Sequence, residues 1–299
     1  MPKQKEVQYE PMVMPAPTNT TQMITDFVFG EMKEFTCGCG AALINITITF
    51  PLNKVIFRQM LHNVGIGNAI KQIKTEGFLY LYRGVLPPLC QKSLCTALMF
   101  GVYDKVRKPF AATNLHPTFV NAIAAFSAGT TEISLLPFER VQTLLQDQRY
   151  HKKLKNTKHA FYLIYIKYGV KEYYRGLVPV LFRNGPSNVL FFYLRDEASL
   201  RLPKPVTVVA KTFKEFLIGA SIGAFGSTVF YPLNIIKVHM QSRLGGPFQS
   251  FWLATKHIYI ERNSSIRGFY RGVHMNYTRS FISWGVINVA YEQLKKIVY

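Results

Sequence analysis

The chain has 299 residues, 48% of them hydrophobic and only 17% charged, with 36 Lys and Arg against 16 Asp and Glu for a net charge of +20. That leaves too little polar material to coat a soluble domain of this length and too little alternation for a β-sandwich. The excess of base fits nucleic acid, an anionic lipid surface or an anionic substrate, but the bases recur at the ends of apolar segments (Lys71, Lys74, Arg83; Lys152, Lys153, Lys155, Lys158; Arg262, Arg267, Arg271) and build no basic domain, which favours a membrane surface and argues against nucleic acid.

Residues 1–30 carry Pro2, Pro11, Pro15 and Pro17, acids at Glu6, Glu10 and Asp26, and no arginine. They read as a disordered tail and not as a secretory signal or an Arg-rich transit peptide. A first apolar span, near 32–60, contains Gly38, Ala41 and Ala42 and is interrupted by Pro51 in F-P-L-N-K-V-I-F-R-Q. An amphipathic segment at 67–75 follows, with Ala69, Ile70 and Ile73 at helical spacing, then Tyr-Arg-Gly at 82–84, then a second span near 85–108.

The order then recurs. A span at 117–146 contains Ala124, Ala128 and Gly129 and is broken by L-P-F-E-R-V-Q-T-L-L-Q at Pro137; an amphipathic stretch at 157–168 (Phe161, Ile164, Tyr165) leads to Tyr-Arg-Gly at 174–176 and a span at 178–201. The third pass has a span at 212–242 with Gly219, Gly223, Gly226 and Pro232 in Y-P-L-N-I-I-K-V-H-M-Q, an amphipathic stretch at 250–261 (Phe251, Ala254, Ile258), Tyr-Arg-Gly at 270–272 and a last span at 274–298. Two landmarks in one order, three times over, define repeats at 31–112, 113–206 and 207–299.

Six spans of this length can cross a bilayer with tilt. Their polar residues imply that they surround something wet, and their small residues allow close helix approach. The amphipathic stretches are expected along the membrane surface, and each Tyr-Arg-Gly sets a ring, a cation and an exposed backbone where anionic headgroups would lie. The expected fold is an all-α membrane protein of six tilted transmembrane helices in three pseudo-symmetric repeats with short amphipathic helices. No catalytic constellation, metal cluster or phosphate-cradling loop is present, so neither an enzyme, a metal site nor a cofactor is expected. Cys37, Cys39, Cys90 and Cys95 have no zinc or disulfide spacing and read as packing thiols.

Three units carrying Pro-x-acid-x-x-base and acid-Gly-x-x-x-x-aromatic-base-Gly resemble the mitochondrial carrier family. Glu76-Gly77-F-L-Y-L-Tyr82-Arg83-Gly84 matches the second motif fully, while the other two repeats depart at the acid-Gly pair, with Tyr168-Gly169 and Ser264-Ser265. The resemblance covers the chain from about residue 31. It implies an inner-membrane, multi-pass transporter with one central site, alternating access and both termini towards the intermembrane space, monomeric and in contact with an anionic lipid such as cardiolipin. It also makes Pro51, Pro137 and Pro232 helix kinks.

By the family scheme the matrix gate is formed by Asn53, Glu139 and Asn234 with Ile56, Gln142 and Lys237, pairing Glu139 with Lys237, Asn53 with Gln142, and Asn234 with Ile56. The cytoplasmic gate falls on Asp104, Asp196 and Glu292 with Arg107, Ser199 and Lys295, pairing Asp196 with Lys295, Glu292 with Arg107, and Asp104 with Ser199. With one ion pair on the matrix side and two on the other, the cytosol-open state is expected to be the less securely locked.

Substrate contact positions of the family fall on Gln91-Lys92, Arg183-Asn184 and Arg279-Ser280, one cation per repeat. Glu132 stands seven residues before Glu139 and on nearly the same helical face; it either meets a cationic part of the substrate or orients Arg183 or Arg279. Three bases suit a diphosphate and Glu132 a pyridinium, features that NAD+ combines, although coenzyme A, a flavin dinucleotide (FAD) or a nucleoside diphosphate satisfies the charges as well. The segments Y-Y-R-G-L-V-P-V-L-F-R-N-G, A-G-T-T-E and R-S-F-I-S-W-G are similar to the NAD-carrying subgroup of animal mitochondrial carriers. That similarity implies NAD+ import, with Trp284 either stacking on a base or packing. A different class of reading, a non-transporting basic membrane scaffold, would not need a cation at the same offset in every repeat.

Overall fold

The computed structural model describes residues 20–92, 94–95, 117–201 and 208–298. Among them every regular element is helical. The first repeat supplies α1 (Thr20–His62), α2 (Ile66–Glu76) and a helical run at 86–92. The second supplies α3 (Pro117–Thr131), α4 (Leu136–Gln146), α5 (Thr157–Tyr168) and α6 (Leu177–Arg201), and the third α7 (Val208–Val229), α8 (Tyr231–Gln241), α9 (Phe251–Glu261) and α10 (Val273–Val298). α1 packs beside α10, α3 beside α6, α7 beside α10, and α6 against both α7 and α8. Asp104 and Arg107 lie outside the described residues, as do the side chains of Asp196 and Ser199.

Three differences from the sequence reading concern the long helices. First, α1 begins at Thr20, so residues 20–30, assigned by composition to the tail, are helical; no proline lies between Pro17 and Pro51 to prevent it. Second, among the described residues only Thr36–His62 is by itself long and apolar enough to cross a membrane, with Leu217–Val229 a shorter apolar helix. The helices α6 and α10 have the length, 25 and 26 residues, but Arg183, Asn184 and Asn188 dilute the first and Asn276, Arg279 and Asn288 the second. Third, the prolines act differently. α1 runs on through Pro51, whereas Pro137 and Pro232 sit in the first turn of new helices, where a missing N–H costs nothing. The breaks fall just before them, at Leu135 (φ −92°, ψ 1°) and Phe230 (φ −89°, ψ 8°).

Beyond the proline breaks the bundle is closed. Ile56, Phe57, Met60 and Leu61 of α1 form one apolar core with Ile235, Ile236, Val238 and Met240 of α8 and Ala254 and Ile258 of α9. Val141, Leu144 and Leu145 of α4 form another with Ala160 and Ile164 of α5. Thr143 donates from α4 to Gln241 Oε1 of α8 at 3.1 Å. The short helices each turn a buried stripe to this end, Ala69 and Ile73, Ala160 and Ile164, Ala254 and Ile258. They expose Tyr162, Tyr165 and Ile166 on α5 and Trp252 (77% exposed) on α9, as helices lying in an interface do.

The Tyr-Arg-Gly tripeptides join the repeats. Arg83 donates to the carbonyls of His151 (3.0 Å) and Leu154, in the loop after α4. Arg175 donates to those of Gly246 (2.7 Å) and Pro247 (3.4 Å), in the loop after α8. Arg271 donates to Asn63 Oδ1 (3.3 Å), just after α1. Each repeat thus grips the next, and the third grips the first, so these arginines serve as joints between repeats. The following glycine permits the close approach: at Gly176 (φ +86°) a Cβ would lie 2.9 Å from Gln241 Cγ, and at Gly272 (φ +94°) 3.1 Å from Gln59 Cβ. Gly176→Ala combines a left-handed backbone with overpacking and is expected to cost about 2 kcal/mol or more, seen as a fall of several degrees in melting temperature in detergent. An unchanged melting temperature would show the joint to be slack.

Each repeat closes this end with different chemistry. Glu76 is buried between Lys54 (3.5 Å) and Arg58; Glu172 binds Arg140 (2.6 Å) and Arg175 (3.1 Å); and in the third repeat, which lacks the acid, Arg262 donates to the carbonyls of Met60 (2.5 Å) and Gly268. His151 lies beside the first of these, its ring stacked on Tyr80 with centroids 4.7 Å apart and its Nδ1 3.9 Å from Glu76. Burial first, then the Arg83, Lys54 and Arg58 cations, push the His151 imidazole from 6.5 down to about 4. Between those values the unfolded chain binds the extra proton, so this contribution to stability is lost as pH falls from about 6.5 towards 4. His151→Phe keeps the stack and is expected to flatten the loss of melting temperature between pH 7 and pH 5; parallel curves for the two proteins would refute this.

Candidate functional site

At the closed end the helices enclose a cavity of about 250 Å³, lined by Asn53, Ile56, Glu139, Gln142, Arg183, Asn234, Lys237, Asn276 and Arg279 among others. Every residue assigned to the matrix gate is in that lining, together with two of the assigned substrate contacts. The first turns of α4 and α8, fixed by their prolines, aim Glu139 and Lys237 at one another, with Oε2 and Nζ 3.3 Å apart.

Glu139 is a hub. Its Oε1 is also 3.3 Å from Arg183 Nη2 on α6, and Gln91 Nε2 donates to the same oxygen at 3.3 Å. Arg183 uses its remaining nitrogens on Asn234 Oδ1 and Asn184 Oδ1, each at 2.8 Å. Asn234 and Ile56 line the same cavity; Asn234 accepts from Arg183, while Ile56 also belongs to the apolar core with Ile235 and Ile236. Asn53 and Gln142 both line the cavity but share no hydrogen bond among the described residues.

Glu132 lies in the 3-10 turn Glu132–Leu135 at the break between α3 and α4. It accepts from Asn184 Nδ2 at 3.0 Å and from Cys95 Sγ at 3.2 Å. It thus orients Asn184, the neighbour of Arg183, and forms no ion pair with Arg183 or Arg279 among the described residues. Cys95, read from spacing alone as a packing thiol, is a donor to this carboxylate.

Arg279 is half-buried and donates to Asn276 Oδ1 at 3.2 Å. No carboxylate lies within ion-pair distance of it among the described residues. Asn276 is itself buried, and its Nδ2 has no partner among the described residues. Sequence counting passed over Asn276, although its position three residues before Arg279 places both on one helical face. Ser280 is turned away, donating to the Asn276 carbonyl at 3.0 Å. Lys92 is exposed on the run 86–92 and is not part of this lining; the third cation of the cavity is Lys237. Glu292 and Lys295 lie far along α10. Trp284 covers α7: a Cβ on Gly219 would lie 2.7 Å from its ring and one on Gly223 2.9 Å from its Nε1, which gives it a packing role.

Three cations and one carboxylate around an asparagine-rich cavity leave an excess of positive charge, chemistry that suits a polyanion, since Arg forks bind phosphate oxygens in pairs. Among the described residues the lining offers no nucleophile activated by a base.

The mitochondrial carrier protein family profile matches the chain three times, at residues 30–114, 115–205 and 209–299. The human mitochondrial nicotinamide adenine dinucleotide transporter SLC25A51 is 46% identical over 287 residues, covering 95% of this chain and 96% of that protein. The corresponding human transporter SLC25A52 is 44% identical over the same shares, and human solute carrier family 25 member 53 is 30% identical over 88% of this chain and 87% of that protein. With three repeats matched end to end and relatives this similar along nearly their whole length, the chain belongs to the mitochondrial carrier family.

Proposed function

We propose that the protein imports NAD+ into the mitochondrial matrix by alternating access through the central cavity, as a multi-pass inner-membrane carrier and not as an enzyme. The observation that carries this reading is Arg279, half-buried in the cavity with no acid at hand among the described residues, in the same lining as an Arg183 whose acid is shared with Lys237. The relatives named as nicotinamide adenine dinucleotide transporters support the choice of cargo.

The geometry suggests how cargo opens the gate. A diphosphate entering between Arg183 and Arg279 competes with Glu139 for the Arg183 fork. Each charge-assisted bond so exchanged is worth about 1.5–3 kcal/mol, and Glu139 is left with Lys237 and Gln91. The closed end is weakened only when substrate is present, which is what coupling requires: a ligand shifts an equilibrium by its difference in affinity for the two states. Glu132, whose carboxylate accepts from Asn184, is assigned the pyridinium of the same molecule. Lys92 acts from the wider part of the path. The opposite gate is assigned to Asp104, Arg107, Asp196, Ser199, Glu292 and Lys295, and both termini to the intermembrane-space side. A crevice of about 460 Å³ lined by Arg83, Gly84, Lys155, Asn156 and Thr157 suits an anionic lipid such as cardiolipin.

Uptake of radiolabelled NAD+ into liposomes holding the purified protein tests the reading. Saturable uptake, competed poorly by coenzyme A, FAD and a nucleoside diphosphate, is expected. Uptake of one of those competitors in place of NAD+ would move the assignment to it.

A further inference from the structure

A second cavity, of about 240 Å³, opens between α6 and α7 and shares Arg183 and Asn234 with the gate cavity. Arg183 and Asn234 are its charged foot; the rest of its wall is Leu190, Phe191, Ile222 and Phe230, two glycines, and the hydroxyl residues Ser187 and Ser227. No carboxylate lines it among the described residues. On α7 the residues Gly223, Gly226, Ser227 and Phe230 recur at helical spacing on the side that continues to Asn234 and Lys237, so the pocket extends the central path.

Resting on the reading of the cargo as NAD+, we propose that this α6–α7 pocket is the seat of the adenine base, and that Arg183 at its foot takes the adjoining phosphate. Charge separates the two ends of the molecule. A pyridinium cation would meet the Arg183 cation here and find no acid, whereas Glu132 lies on the other side of Asn184. A neutral aromatic base meets two phenyl rings, whose faces accept any base by stacking. Two serine hydroxyls are available to its edge, each able to donate or accept. The two cavities together fall in the size range of a pocket for a drug-sized ligand, and Arg183 joins them, as a diphosphate joins two nucleosides.

Gly226 makes the idea testable without disturbing the bundle. A Cβ there would meet no atom within 4 Å, in contrast to Gly223, where it would meet Trp284. The side chain of Gly226→Leu is therefore expected to occupy the pocket while the melting temperature of the ligand-free protein stays within about 2 °C of wild type. In liposomes the KM for NAD+ should rise at least about tenfold, while inhibition of the remaining uptake by nicotinamide mononucleotide, which lacks the adenosine half, should change less than about twofold. Gly226→Ala should lie between the two. Phe230→Leu, which removes a ring and keeps the wall apolar, should show the same selective pattern. An unchanged KM, or equal weakening of NAD+ and the mononucleotide, would overturn the proposal. Thermal stabilisation by adenosine monophosphate supplies a readout independent of transport: it should be present in wild type and lost in Gly226→Leu. If wild type takes up no NAD+ yet shows that pattern, the cargo reading fails and the base pocket stands; if uptake is normal and the pattern is absent, the pocket fails alone.

Discussion

Arg279→Ala is expected to lower kcat/KM for NAD+ uptake on the order of 100-fold, equivalent to about 2.7 kcal/mol of lost binding to the transported anion. The magnitude follows from the surroundings. Arg279 has a hydrogen bond to Asn276 and no carboxylate within reach among the described residues, so a bound phosphate is the partner that would be left without its cation. Arg279→Lys retains the charge but loses the planar fork, and should recover part of the rate while remaining about tenfold below wild type. The melting temperature of the ligand-free protein should hardly change, because little in the resting fold depends on this guanidinium, whereas the stabilisation conferred by NAD+ should vanish. Undiminished uptake by Arg279→Ala would remove the substrate assignment.

Glu139→Gln is expected to have the larger effect on the ligand-free protein. It strands two cations, Lys237 and Arg183, which the one carboxylate holds at 3.3 Å each. Removing the shared partner of fully buried charges typically costs about 3–5 kcal/mol; for these half-buried cations the loss should be smaller, and the closed end described here should lose population to the opposite state. Lys237→Met should cost less, since Arg183 and Gln91 still hold Glu139. Melting temperatures and the accessibility of single cysteines placed on either side of the gate would measure both. Counting gate residues alone made the cytosol-open state the more weakly locked; the recruitment of Arg183 and Gln91 narrows that difference. Glu292→Gln, at the opposite gate, provides the comparison, and equal shifts from Glu139→Gln and Glu292→Gln would abolish the asymmetry.

What could be read from the residues was whatever repeats at a fixed offset. Pro51, Pro137 and Pro232, the three Tyr-Arg-Gly tripeptides and the short helices between them recur in register, and counting from them placed Glu139 against Lys237. Contacts that depend on side-chain reach were not legible. Arg183 was counted as a substrate contact, and its fork extends to Glu139 and Asn234, giving the gate and the site one member in common. Spacing placed Glu132 on the face of Glu139, but the 3-10 turn that begins there sets it on Asn184 and Cys95. The acceptors of Arg83 and Arg175 are backbone carbonyls, which every residue possesses and no motif advertises. The third repeat lacks the acid-Gly pair, and no spacing signals that Arg262 closes that sector through the Met60 carbonyl instead.

The arginine joints have a consequence for how many repeats a chain of this kind can have. What a repeat offers forward, an arginine and a glycine, differs from what it offers backward, a loop and the end of a kinked helix, so the contact is head-to-tail. Surfaces of that type grow into open filaments unless the rotation between units closes them into a ring. Here closure comes at the third unit, where Arg271 reaches Asn63 and Gly272 meets Gln59. A fragment of two repeats would keep one such contact and expose an unmatched donor face and an unmatched acceptor face, sticky ends that invite other copies. A fourth repeat would have no angular room. The number three is set by the geometry of a hydrogen-bonded corner, and the central cavity inherits its width from it.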